Sequence, residues 1–199
     1  MKWTKEDEEV LKSYIEDLQD DNNKLKHEVF EKLARNKYIC HVLNNEALED
    51  EDAEPDDYLY ENIIPYEIIH PTQVKVKNFI CVLTRQTELY RYDKAIKLQQ
   101  IIFKIYCEQA NGMVNSEFPE SKNTLIPLGM ARHDLIAALI KAEFNYYPLS
   151  CGKIRLVQDT EDATDTDYAT RMLIFECYTD ANLTKNINGQ QQMINKVWS

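Results

Sequence analysis

The chain has 199 residues, 44% of them hydrophobic and 29% charged, which is enough to bury one core and too few for two ordinary domains and a linker. A formal net charge of -11 and a sequence pI of about 4.9 exclude a protein that wraps nucleic acid, because wrapping needs Lys and Arg to displace counterions from phosphates. An acidic wall past which DNA slides without sticking is compatible with that charge.

The start, MKWTKEDEEVLKSYIEDL, is charged where a secretory signal is apolar, so export by that route is not expected. Thr4, followed by Glu6 and Asp7, reads as the cap and acidic first turn of a helix, with Val10, Leu11, Tyr14, Ile15 and Leu18 at three-and-four spacing behind it. A break near Asp20 to Asn23 separates it from a second amphipathic helix carrying Leu25, Val29, Phe30, Leu33, Ile39 and Leu43. From Glu46 to Asn62 acidic residues stand nearly back to back, and the few apolar ones cannot offset the entropy of ordering, so a solvated linker is expected. The linker lacks the Gly turn and alternating ligands of a calcium-binding EF-hand loop.

Beyond it the pattern changes to strand. VKVKNFICVL, Val74 to Leu83, is rich in branched and aromatic residues. Ala95 to Gln109 alternates Ile101, Phe103, Ile105 and Cys107 with Lys104, Tyr106 and Glu108, the pattern of a half-buried strand. A loop from Ala110 to Asn123 leads to the helix GMARHDLIAALIKAEF, whose Leu135, Ile136, Leu139, Ile140 and Phe144 form one apolar stripe. Gly152 to Asp159 and Tyr168 to Tyr178 read as an antiparallel hairpin around the acidic tip TEDATDTD. The stretch after Asp180 is amide-rich and reads as a tail that orders against a partner. The expected fold is therefore α+β: an antiparallel or mixed sheet of about four strands with one packed helix, preceded by an N-terminal pair of helices. The expected organisation is a helical extension over 1–46, an acidic linker over 47–62, an α+β domain over 63–180 and a polar tail over 181–199.

No run of ~18 apolar residues occurs, so no membrane helix is expected. The five cysteines, Cys40, Cys81, Cys107, Cys151 and Cys177, are odd in number and contain no Cys-x-x-Cys pair. Cys81, Cys107 and Cys177 fall inside apolar runs, where a reduced thiol acts as a small hydrophobe, and a reducing compartment follows.

Three patterns suggest chemistry. The Arg132-His133-Asp134 triplet contains a His-Asp doublet of the kind that ligates metals, but the chain has only four histidines, His27, His41, His70 and His133, and no further ligands at a persuasive spacing. The simpler reading is that Asp134 favours the helix dipole while Arg132 or His133 points outward, to solvent or to a neighbouring subunit. RNKYICH, Arg35 to His41, fits the Arg-polar-x4-His spacing of RNA-cleaving HEPN domains, although those are all-helical and six positions along one helix leave the two side chains apart in azimuth. With 4 Gly in the chain and no glycine-rich loop, a phosphate-binding loop is not expected, and no cofactor is. No serine-hydrolase elbow or cysteine-histidine arrangement stands out, and the expectation is a protein that is not an enzyme.

IIPYEIIHPTQVKVKNFICV, KLQQIIFKIYC and GMARHDLIAALIKAEF together resemble the phage neck proteins that join head to tail, over about Ile63 to Asp180. Gly129-Met130-Ala131 stands before the triplet where that group has Asn, and the N-terminal helices lie outside the resemblance. The resemblance implies a tail-terminator or head-completion protein: an α+β subunit in a ring of six or twelve copies, contacting portal or adaptor and tail proteins, with DNA passing through the lumen. It also implies assembly in the host cytoplasm and residence in the virion neck. Arg132, His133 and Asp134 would then be subunit-contact residues and not catalysts. The alternatives are a HEPN-like RNase using Arg35 and His41, and an accessory phage binding protein with the N-terminal helices as docking arms.

Overall fold

A computed structural model describes residues 4–17, 21–43, 48, 54–67, 78–88, 96–109, 130–162, 167–180, 185–187 and 190–192. Three helices open the chain: α1 (Lys5–Asp17), α2 (Asp21–Ala34) and α3 (Lys37–Leu43). Thr4 caps α1 as expected, its hydroxyl accepting from the Asp7 amide at 3.2 Å while the Asp7 carboxylate accepts from the Thr4 amide at 2.8 Å. The Thr4 hydroxyl also donates to the Asp7 carboxylate at 2.6 Å, and this bond, followed by that of the Thr4 amide, holds the Asp7 carboxyl below its ordinary range. The sequence pattern runs one helix through Arg35 to Leu43, but the chain breaks there. Asn36 Oδ1 accepts from the amides of Tyr38 and Ile39 at 3.1 and 3.3 Å, so a short polar side chain ends α2 and caps α3.

The main sheet has five strands: β1 (Ile63–Ile64), β2 (Asn78–Glu88), β3 (Ile96–Glu108), β6 (Arg155–Asp162) and β7 (Tyr168–Asp180). Across the sheet they lie in the order β1-β2-β3-β7-β6. The hairpin expected from the sequence, β6 with β7, joins a second antiparallel pair, β2 with β3, through a third antiparallel ladder between β3 and β7, and β1 adds a parallel pair at Ile80 and Cys81. The fold is therefore α+β, with four long antiparallel strands and one short parallel one. β2 runs five residues past the expected end at Leu83, through the polar sequence TRQTE, because β3 supplies hydrogen-bond partners as far as the Glu88–Lys97 pair. Val74 to Lys77, the loop at 110–129 and most of the acidic tip lie outside the described residues.

Helix α4 (Arg132–Phe144) follows β3 and lies on one face of the sheet, after which β4 (Pro148–Leu149) and β5 (Gly152–Lys153) form a small hairpin. The alternation in β3 is as expected: Ile101, Phe103, Ile105 and Cys107 are buried and face α4. Phe103, Phe144 and Phe175 pack as a triangle with centroid distances of 5.1, 5.6 and 6.4 Å, pinning helix to sheet. α2 and α3 belong to the same core: Leu25, Val29, Phe30, Leu33, Ile39, Val42 and Leu43 are buried in one cluster with the sheet and α4. The helices expected as an extension thus share the core of the sheet, because their apolar stripes continue its cover beside α4.

Part of the expected linker is structured too. Pro55–Tyr58 forms a 3-10 turn with a reciprocal Glu54–Asp57 cap, and Asn62 is fully buried. The earlier part of the stretch, 46–53, lies outside the described residues except for 48. In the region expected as a tail, β8 (Lys185–Ile187) pairs antiparallel with β9 (Gln190–Gln192).

Candidate functional site

The Arg-His-Asp triplet opens α4 without a side-chain cap: the cap position is Ala131, which makes no side-chain hydrogen bond. The first turn is held by other means, and its three residues go in three directions. Arg132 does not point outward. It is 1% exposed and its Nη1 donates to the Val42 carbonyl at 2.6 Å, covering one of the orphan carbonyls at the end of α3. The neighbouring carbonyl, Leu43, accepts from Asn78 Nδ2 at 2.9 Å. The Asn78 carbonyl in turn accepts from Asn62 Nδ2 at 2.8 Å, and the Asn62 carbonyl from the Ile80 amide at 2.7 Å. A buried polar network therefore ties α3, α4, β1 and β2 together. Against it lies Cys107, whose thiol is pushed up to about 12 by burial, with Arg132 pulling the other way.

Asp134 faces the opposite direction and pairs with Arg171 of β7. Arg171 forks onto Asp159 of β6 through Nε at 2.7 Å and Nη2 at 2.9 Å, and its Nη1 lies 3.8 Å from Glu161. Lys141, two turns along α4, reaches the same Asp159 at 2.8 Å. The Arg171 hydrogen bonds, followed by that of Lys141, hold the Asp159 carboxyl at about 2, and the Asp159 pairing raises Arg171 above its ordinary range. This second network fastens α4 to the β6–β7 hairpin. Sequence reading missed Arg171 and Asp159. The available signal was Arg171 itself, a single cation in the apolar strand YATRMLIFECY, at the same parity as the buried Leu173 and Phe175.

His133 lies between the two networks, its Nε2 3.5 Å from Asp134 Oδ1 and its Nδ1 buried without a hydrogen-bond partner among the described residues. His133, Asp134 and Glu161 can bring one donor atom each within 4.8 Å of one another, a spacing compatible with a metal ion. The Arg171 guanidinium already contacts both carboxylates, however, so a cation entering there must displace a fixed positive charge. The arrangement works as a clamp between helix and sheet.

The second sequence pattern falls on two helices. Arg35 follows the end of α2, is 73% exposed and pairs with Glu31 at 3.1 Å, while His41 is exposed in the last turn of α3. The break at Asn36 removes the single helix on which the Arg-polar-x4-His spacing relied. Near Arg35 a groove of about 740 Å³ runs between the α2–α3 junction and the β4 turn. Its walls include Tyr38, Tyr147 and the Lys32–Glu143 pair, with the Lys32 ammonium 3.6 Å from the Tyr147 ring centroid.

The YomW family model matches residues 36–177, from the cap of α3 to most of the way along β7. The chain belongs to the YomW family. That family is of phage origin, so this is a phage protein. The YomW match takes in α3, α4 and all five strands of the main sheet, together with Arg132, Asn78, Asp134, Asp159 and Arg171. α1 and α2 precede it. No curated protein matches the chain. Among the described residues no helix is long and apolar enough to cross a membrane.

Proposed function

We propose that this YomW-family chain is a structural protein of the phage head-tail connection, one subunit of a ring of the tail-terminator or head-completion type. It acts by assembly and not by catalysis. The observation that carries the reading is the sheet's pair of open edges. On one side β6 has no further strand among the described residues, and Val157 on it is 41% exposed. On the other side β1 covers β2 only at Ile80 and Cys81, leaving Val82–Glu88 without a strand neighbour among the described residues. Two different edges at opposite ends of one sheet suit a head-to-tail contact, and head-to-tail contacts close into rings. Phage membership and the net charge of -11, which suits a lumen that DNA traverses without binding, support the same reading.

In this proposal the subunit contact moves from the Arg132-His133-Asp134 triplet to the strand edges, because Arg132 and Asp134 already serve contacts within the chain. Portal or adaptor and tail proteins would meet the two rims of a ring of six or twelve copies in the virion neck. Light scattering followed by negative-stain imaging of the purified chain tests this. A closed ring of fixed stoichiometry, lost when Val157→Lys and Gln158→Pro block the β6 edge, is the expected result. A monomer that neither self-associates nor binds isolated tails or portal rings would overturn it.

A further inference from the structure

Two thiols outside the networks around α4 face each other. Cys151 sits in the turn of the β4–β5 hairpin and Cys177 near the end of β7, on the face that carries Leu173 and Phe175. β5 packs on β7, and the two cysteines are 8% and 3% exposed within the main core cluster. All five cysteines are free thiols. The two side chains share a hydrogen-bonding contact, which puts their sulfurs within reach of each other. We propose that Cys151 and Cys177 are a disulfide-forming pair, closed by hydrogen peroxide, that staples the β4–β5 hairpin to β7. The inference stands independently of the ring reading.

The pair is asymmetric in a useful way. That contact lowers Cys177 from its ordinary range, whereas it and burial raise Cys151, so Cys177 gives up its proton more readily than Cys151. Peroxide is small enough to reach a sulfur that is nearly covered. The Cys177 thiolate attacks one peroxide oxygen, the O–O bond breaks, and the departing hydroxide takes a proton to become water, leaving a sulfenic acid on Cys177. The Cys151 thiol then loses its proton and attacks the Cys177 sulfur. The S–O bond breaks and the oxygen leaves as a second water. Two thiols are oxidised and one peroxide is reduced to two waters. The hairpin so fixed carries Ser150, whose amide donates to Glu28 of α2 at 2.8 Å, and one wall of the groove, so oxidation also fixes that wall.

The test exposes the full-length reduced chain to hydrogen peroxide, alkylates the remaining thiols and maps the digest without reduction. The expected product is a Cys151–Cys177 peptide pair lacking two hydrogens, reversed by dithiothreitol, in a protein melting about 10 °C above the reduced form. Cys151→Ser should abolish the link and let Cys177 proceed to sulfinic acid. A map in which both cysteines remain alkylatable after peroxide has oxidised the methionines would overturn the proposal. So would links that join either cysteine to Cys40, Cys81, Cys107 or another chain. The link is read on the unmodified protein, so the result does not depend on how a variant folds.

Discussion

Two polar networks flank the first turn of α4, and they differ in what surrounds them. Around Arg132 the network is buried: Asn62, Asn78 and Arg132 are each at most 1% exposed, and the acceptors are backbone carbonyls, those of Val42 and Leu43 at a helix end and that of Asn78 in β2. Around Arg171 the side chains are partly wet, with Asp159 23% and Glu161 68% exposed, and the partners are carboxylates. A buried donor that loses its acceptor, or the reverse, bears the full desolvation cost. A half-hydrated ion pair recovers much of its loss from water. The larger number of charges therefore sits in the cluster that contributes less to stability. The triplet contributes one residue to each network, so adjacent side chains of one helical turn do unequal work.

Arg132→Leu gives the largest expected effect on this contrast. It strands the Val42 carbonyl and should destabilise the chain by about 3 kcal/mol in urea unfolding, with little dependence on salt. A loss below about 1 kcal/mol would mean that water or another donor takes over at α3. Asn78→Ala follows at about 2 kcal/mol, since it uncovers Leu43, although its own Oδ1 is already without a partner among the described residues.

Asp159→Asn should cost only about 1 kcal/mol once hydration of the pair is allowed for, and that cost should shrink in about 1 M salt. Its pH dependence has a fixed sign. The folded carboxyl titrates at about 2 and the unfolded one near 3.8, so the contribution is complete above about pH 4 and is lost as the pH falls towards 2. Comparing acid titrations of the native chain and Asp159→Asn isolates that window, and equal slopes between about pH 4 and 2 would contradict the clamp. Arg35→Ala should change stability by less than about 0.5 kcal/mol, because its only described pair lies in solvent. At the same end of the scale but of opposite sign, Tyr146→Gly should stabilise by up to about 1 kcal/mol. Tyr146 holds φ at 62° just past α4 with its ring mostly exposed, a conformation glycine adopts without strain.

Legibility in the sequence followed the range of the interaction. The Thr4 cap, the α4 stripe and the β3 alternation are contacts within a few residues or repeats of a fixed period, and each was readable. Asn36 was not, because nothing local distinguishes a helix-capping Asn from one on a helix surface until α3 turns to bury Ile39 and Leu43. The expectation that Arg132 or His133 points outward missed the inward course of Arg132 for the same reason. A charged residue beside an apolar stripe belongs to solvent by default, and only the end of α3, 90 residues away, gives it a reason to be inside. Arg171 and Asp159 come from different strands and converge only when the hairpin packs under α4.

By itself, the sequence determined the class of fold, the identity of most elements and the residues of the core, because hydrophobic periodicity is a local record of which face each element buries. Tertiary structure alone decided that β3 and β7 join the two hairpins, that α2 and α3 complete the core, and where the polar side chains of the triplet find their partners. Those outcomes depend on pairings between distant segments, where one buried hydrogen bond can reverse what polarity alone would predict.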